Sequence, residues 1–118
     1  MHQIRIGLKY KNKKFFFNVK RCGYFEEVFG LMFQRKENAE ALLFDFSKRK
    51  RLALHSFFVF FPFLAIWLDD KNKIIDFRVV KPFSFNIFFK KYFVKIVEIP
   101  INHRYLKIIK KLVGSRKI

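Results

Sequence analysis

The sequence predicts a mainly β domain, α+β at most: a small mixed-strand barrel or sandwich with one or two short helices, one of them C-terminal. Three observations carry this. Apolar and polar residues alternate with a period of two in segments near both ends, the signature of half-buried strands. The apolar mass comes from Phe, with 19 positions in 118, together with Val and Ile, residue types that fit a pleated surface. Short Lys, Asn and Asp clusters punctuate these runs as turns. About half the residues are apolar (52%), which supports one core, and no repeat, linker or low-complexity boundary divides residues 1–118.

In chain order, Ile4 to Tyr10 alternates Ile4, Ile6 and Leu8 with Arg5, Gly7 and Lys9, a strand. The basic turn Lys11-Asn12-Lys13-Lys14 leads into a second strand, Phe15 to Arg21, completing a hairpin. Tyr24 to Arg35 places Tyr24, Val28, Leu31 and Met32 on one helical face interrupted by Gly30, so a short helix or an irregular turn is expected. Lys36 to Glu40 reads as a loop, Ala41 to Phe46 as a short buried strand, and Leu52 to Phe61 as one or two more. Pro62 cannot donate to a ladder and marks a strand end, edge or bulge. Leu64 to Leu68, the turn Asp69 to Lys73, and Ile74 to Val80 form the clearest hairpin, which Lys81-Pro82 ends. Phe83 to Tyr92 reads as a packed loop and Phe93 to Ile99 as a strand. Finally, Asn102 can cap a helix in which Tyr105, Ile109, Leu112 and Val113 share a face and Gly114 ends it.

Charge is the main functional lead. Against 26 basic residues stand 9 acidic ones, a formal net charge of +17. Such a surface attracts nucleic acid, anionic lipid and acidic proteins. Phe, Lys, Ile and Asn also share A/T-rich codons, so compositional bias competes with function as the explanation. The sole cysteine, Cys22, permits no intrachain disulfide and fits a reducing compartment. The charged amino terminus lacks the apolar stretch of a signal peptide, so a cytoplasmic location is expected. Leu52 to Leu68 is nearly all apolar and flanked by Lys48–Arg51 and Asp69-Asp70. It is nevertheless short, interrupted by His55 and Ser56, and broken by Pro62, so no membrane span is expected.

Three stretches in order carry a family resemblance. They are Gly30-Leu31-Met32-Phe33 followed by Leu42-Leu43-Phe44-Asp45-Phe46; His55 to Pro62 running on to Trp67-Leu68-Asp69; and Val97-Glu98-Ile99-Pro100. This order resembles the domain of unknown function 192 family, in the manner of its archaeal members, over roughly residues 20 to 115. The resemblance implies a small mixed-strand β-barrel or sandwich with the Pro-containing segment entering a central hairpin, and it supplies no activity. The chain departs from the family pattern at Leu64, at Ile101-Asn102 and at Gly114-Ser115. Any site that the family builds on polar residues there is partly lost.

No catalytic or metal constellation emerges. His2, His55 and His103 are scattered without companion cysteines, and no cofactor motif is present. The functional expectation is a small, basic, non-enzymatic binding or accessory domain. One alternative is a small-ligand or carbohydrate-related enzyme or binding barrel with a pocket near Asp45, His55 and Glu98. Another is weak, non-specific binding of RNA or DNA. Its phosphate contacts would come from Lys48, Arg49, Lys50 and Arg51 and from Lys107, Lys110 and Lys111, aided by Lys11–Lys14 and Lys90-Lys91. Tyr92, Phe93 and Tyr105 lie near two of these clusters as rings for stacking unpaired bases.

Overall fold

A computed structural model describes residues 3–21, 37, 39–45, 61–82 and 91–116. The expected elements at Tyr24–Arg35 and Leu52–Phe60, the loop from Phe83 to Lys90, and Phe46 lie outside the described residues, as do Lys36 and Asn38. Strands β1 (Gln3–Tyr10), β2 (Lys13–Arg21), β3 (Leu42–Asp45), β4 (Phe63–Leu68), β5 (Ile74–Val80) and β6 (Lys95–Pro100) are followed by one C-terminal helix, α1 (Leu106–Arg116). They form a single mixed sheet in the order β1-β2-β3-β6-β4-β5. Every neighbouring pair is antiparallel except β2–β3.

The first hairpin is tighter than expected. Lys11 and Asn12 both take positive φ, 47° and 66°, and form a two-residue turn whose twist matches the strands it joins. Lys13 and Lys14, expected in the turn, therefore belong to β2, facing Tyr10 and Lys9. The second hairpin turn is built by Asp69, whose Oδ1 accepts the amides of Lys71 and Lys73 at 2.9 Å each. Asn72 there holds φ at 63°.

The sheet curls into a half-barrel because its two outer strands meet at one end. The Lys9 amide donates to the Asn72 carbonyl at 3.1 Å, and the Tyr10 and Phe77 rings meet edge to face at 5.5 Å. Inside the curl sit Ile6, Leu8, Phe15, Phe17 and Val19 of the first hairpin, Leu64, Ile66 and Leu68 of β4, and Val97 and Ile99 of β6. Tyr105, Ile109 and Leu112 of the C-terminal segment close this core. Opposite residues of the same central strands, among them Leu42, Phe44, Phe63, Trp67 and Ile96, form a second buried cluster. Strands β3, β4 and β6 are thus buried on both faces, which explains why apolar residues stand at consecutive positions in them. The hairpin β1–β2 buries one face only and alternates accordingly.

Two details of α1 differ from expectation. Asn102 does not receive the helix with its side chain. Its Nδ2 donates to the Ala39 carbonyl at 3.1 Å, and its backbone oxygen accepts the Tyr105 amide one turn before α1 begins. Gly114 lies within the helix rather than ending it, in open space where a Cβ would meet nothing within 4 Å. Pro62 does mark a strand end, directly before β4.

Glu98 occupies the middle of β6, between Leu42 and Ala65 in the cross-strand row. It is buried, and loss of solvent raises its pKa from 4.5 to about 8. A carboxyl with a higher pKa in the fold than in the unfolded chain holds its proton more tightly in the fold. Its contribution to stability is full below about pH 4.5 and is lost as pH rises towards 8, on the order of 5 kcal/mol. Glu98→Gln should remove this slope. Urea midpoints of parent and variant should converge near pH 5 and separate in favour of the variant above pH 8. Parallel curves would assign the titration elsewhere.

A second prediction concerns the helix-to-sheet joint. The Tyr105 Oη accepts the buried Ala41 amide at 2.7 Å. Tyr105→Phe leaves that donor unsatisfied at a cost of about 1–3 kcal/mol, read as a lower urea midpoint with an unchanged m-value. An unchanged midpoint would show that the hydroxyl is not needed there.

Candidate polyanion-binding groove

The short parallel ladder between β2 and β3 creates the site. β3 takes up only Lys20 and Arg21 of β2, so Lys13–Val19 have no strand partner on that side among the described residues. The Lys20 amide points that way, donating to Ala41 at 2.8 Å, while the Lys9 amide points out from the far edge of β1. Amide direction alternates along an antiparallel ladder, so the amides of Lys14, Phe16 and Asn18 face the same open side as that of Lys20. Helix α1 runs beside this edge. Between them lies a groove of about 1230 Å³, larger than the roughly 300–1,000 Å³ of a pocket for one drug-sized molecule.

Both walls are basic. Arg5, Lys13 and Lys14 come from the hairpin. Lys107, Lys110 and Lys111 come from α1, and Arg104 from the turn before it. Positions 104, 107, 108 and 111 recur at the helical period while 105, 109 and 112 point into the core, so one short amphipathic segment both closes the half-barrel and presents the cations. Among the described lining residues none is acidic. Glu40 stands at one end, 3.6 Å from Arg104 and 3.9 Å from Lys20, and accepts a hydrogen bond from Gln3 at 3.1 Å.

Phe16 is the exposed aromatic of the groove, whose lining also includes the buried Phe15, Phe17 and Tyr105. In a strand with Phe15 and Phe17 inside, it must point out, and its side chain is 53% exposed. It faces Gly7 in a non-hydrogen-bonded pair, where side chains approach closely. A Cβ on Gly7 would lie 2.8 Å from its Cε1, so the ring is seated on bare backbone. Arg5 Cζ lies 5.7 Å from the ring centroid.

The expected site residues are distributed unevenly. Lys107, Lys110 and Lys111 join the groove with Lys13 and Lys14, whereas Lys48, Arg49, Lys50, Arg51 and His55 lie outside the described residues. Of the expected stacking rings, Phe93 is buried in the core, Tyr105 is buried yet lines the groove, and Tyr92 is exposed outside the groove lining. Asp45 and Glu98 do not converge. Asp45 lies on the face of Leu43 and Val97, while Glu98 lies on the opposite face with Leu42 and Ile96. Asp45 pairs with Arg21 at 3.5 Å, and Glu98 is held neutral by burial at pH 7. Asp69 and Asp76 are spent on backbone amides. Among the described residues no group of three His, Cys, Asp or Glu could hold a metal, and no helix is long and apolar enough to cross a membrane. Arg5 and Phe16 were not singled out by sequence, although the strict alternation around Phe16 contains the signal.

No protein-family model and no curated protein matches the chain. Its fold is similar to the crystal structure of a protein of unknown function from Novosphingobium aromaticivorans DSM 12444. The two share a TM-score of 0.66 at 11% identity, over 90% of this chain and 78% of that one.

Proposed function

We propose that this protein is a small, non-enzymatic binding domain whose groove between β2 and α1 takes the phosphodiester backbone of nucleic acid without regard to sequence. The observation that carries the proposal is the meeting of cations from two separate elements on facing walls, with no acidic residue among the described lining. Cations so arranged neutralise phosphates and release their counter-ions, which supplies sequence-independent affinity. A cytoplasmic location belongs to the same proposal, supported by the single Cys22. So does kinship with the domain of unknown function 192 family. Of its motif residues, Leu42–Asp45, Trp67-Leu68 and Val97–Pro100 fall on three strands that are neighbours in the sheet.

Lys107 tests the function directly. It stands in the first turn of α1, which carries no acidic residue, so its charge opposes the helix dipole. Lys107→Glu should stabilise the fold by about 0.3–1 kcal/mol in urea titrations. The same change should weaken binding to every nucleic acid about equally and reduce the log-affinity against log-salt slope by about 1. A variant that binds with the parent's affinity and slope would remove the groove from consideration.

A further inference from the structure

We infer that the groove is built for a single strand rather than a duplex, with Phe16 as the platform on which one base stacks. This rests on the phosphodiester reading above and adds to it a requirement for an unpaired base. Three of the large apolar side chains described are exposed, Phe16, Val79 and Tyr92, and of these only Phe16 lines the groove. The bare backbone of Gly7 lies against the ring and the Arg5 guanidinium stands over it, 5.7 Å from the centroid, a place that a stacking base takes by displacing Arg5. A pre-positioned ring loses little freedom when a base stacks on it, and every base has a face to offer.

The surroundings fit the rest of a nucleotide. Beyond the ring, the open edge of β2 presents the Lys14, Phe16 and Asn18 amides, which are donors for phosphate oxygens, and the helix wall supplies Lys107 and Lys110. A duplex can approach these cations with its phosphates, yet its bases stay stacked on one another and leave the ring uncovered. A single strand satisfies both. The competing occupant of an open strand edge is an acidic peptide adding as a further strand. It would use the same amides and cations and would have no need of the ring.

The experiment is a set of anisotropy titrations at fixed moderate salt with labelled oligothymidylate, a duplex of equal phosphate count, heparin and polyglutamate. The proteins are the parent, Phe16→Leu, Phe16→Ala, Phe16→Tyr and Lys107→Glu. Leucine keeps an apolar cover over Gly7 without a π face, and thermal melts confirm that each variant is folded. Oligothymidylate should bind the parent more tightly than the duplex does. Phe16→Leu and Phe16→Ala should lose roughly five- to hundredfold on oligothymidylate, the worth of one stacked base, with the salt slope retained. Both should be unchanged on duplex and heparin, and Phe16→Tyr should restore the parent's affinity. Oligothymidylate binding equally well to parent and Phe16→Leu, with Lys107→Glu still weakened, would overturn the stacking inference and leave the phosphodiester reading standing. Polyglutamate binding as tightly as oligothymidylate would overturn the inference in favour of strand addition. Lys107→Glu binding every polyanion like the parent would bring down both readings.

Discussion

The seating of β6 between β3 and β4 governs the rest of the molecule. Its ladders pair Leu42 to Asp45 on one side and Phe63 to Leu68 on the other, and they place the middle of the sheet between two apolar clusters. A charge buried there without a partner would cost more than the fold can spare, so the single carboxyl on β6, Glu98, holds its proton instead. The same dryness expels the cations. The described lysines and arginines stand on β1–β2, on turns, on the outer face of α1, on the outer strand β5 and, as Lys95, at the end of β6.

Placing so many cations on so little surface has an electrostatic cost, and the chain offsets it unevenly. Arg21 has Asp45, while Lys20 and Arg104 share Glu40. The sequence of α1 itself carries no acidic residue, and its first turn opposes the dipole. The helix is held by Ile109 and Leu112 in the core, with Tyr105 anchoring the turn before it, so its stability comes from packing rather than from its own charges. That division of labour lets the outer face be selected for a partner.

Much of this was legible from the sequence, for identifiable reasons. Period-two alternation placed β1 and β2 within a residue or two, because a strand with one wet face must alternate, and the turn Asp69 to Lys73 between two apolar runs placed the β4–β5 hairpin. The short β3 and the Pro62 boundary followed from an apolar run and a missing donor. What the sequence could not reveal was long-range order. Nothing local says that β3 should run parallel to β2 for only two residues, yet that truncated ladder opens the groove. Likewise Asp45 and Glu98 look equivalent as isolated carboxylates within strands, and only the register puts them on opposite faces. Asn102 failed as a helix cap because its side chain had a tertiary partner in the Ala39 carbonyl, a contact across most of the chain. Phe16 was readable in principle, since a residue between two inward phenylalanines must face out, but Tyr92 and Tyr105 drew attention by lying nearer to lysine clusters.

A codon bias would account for how many lysines the chain has and would leave their arrangement unexplained. A chain enriched at random would scatter acids among its cations wherever turns and wet faces allow. Five of the described acids stand outside the groove lining with roles of their own. Asp69 and Asp76 hold backbone amides, Asp45 neutralises Arg21, Glu98 is buried and protonated, and Glu40 stands at one end of the groove. The groove between them collects cations from sequence positions as distant as Arg5 and Lys111, which only the folded sheet brings together. Bias acts on composition and has no access to that juxtaposition. Segregation of charge in space, with an aromatic ring held among the cations by a glycine, is the feature that a purely compositional account leaves without a cause.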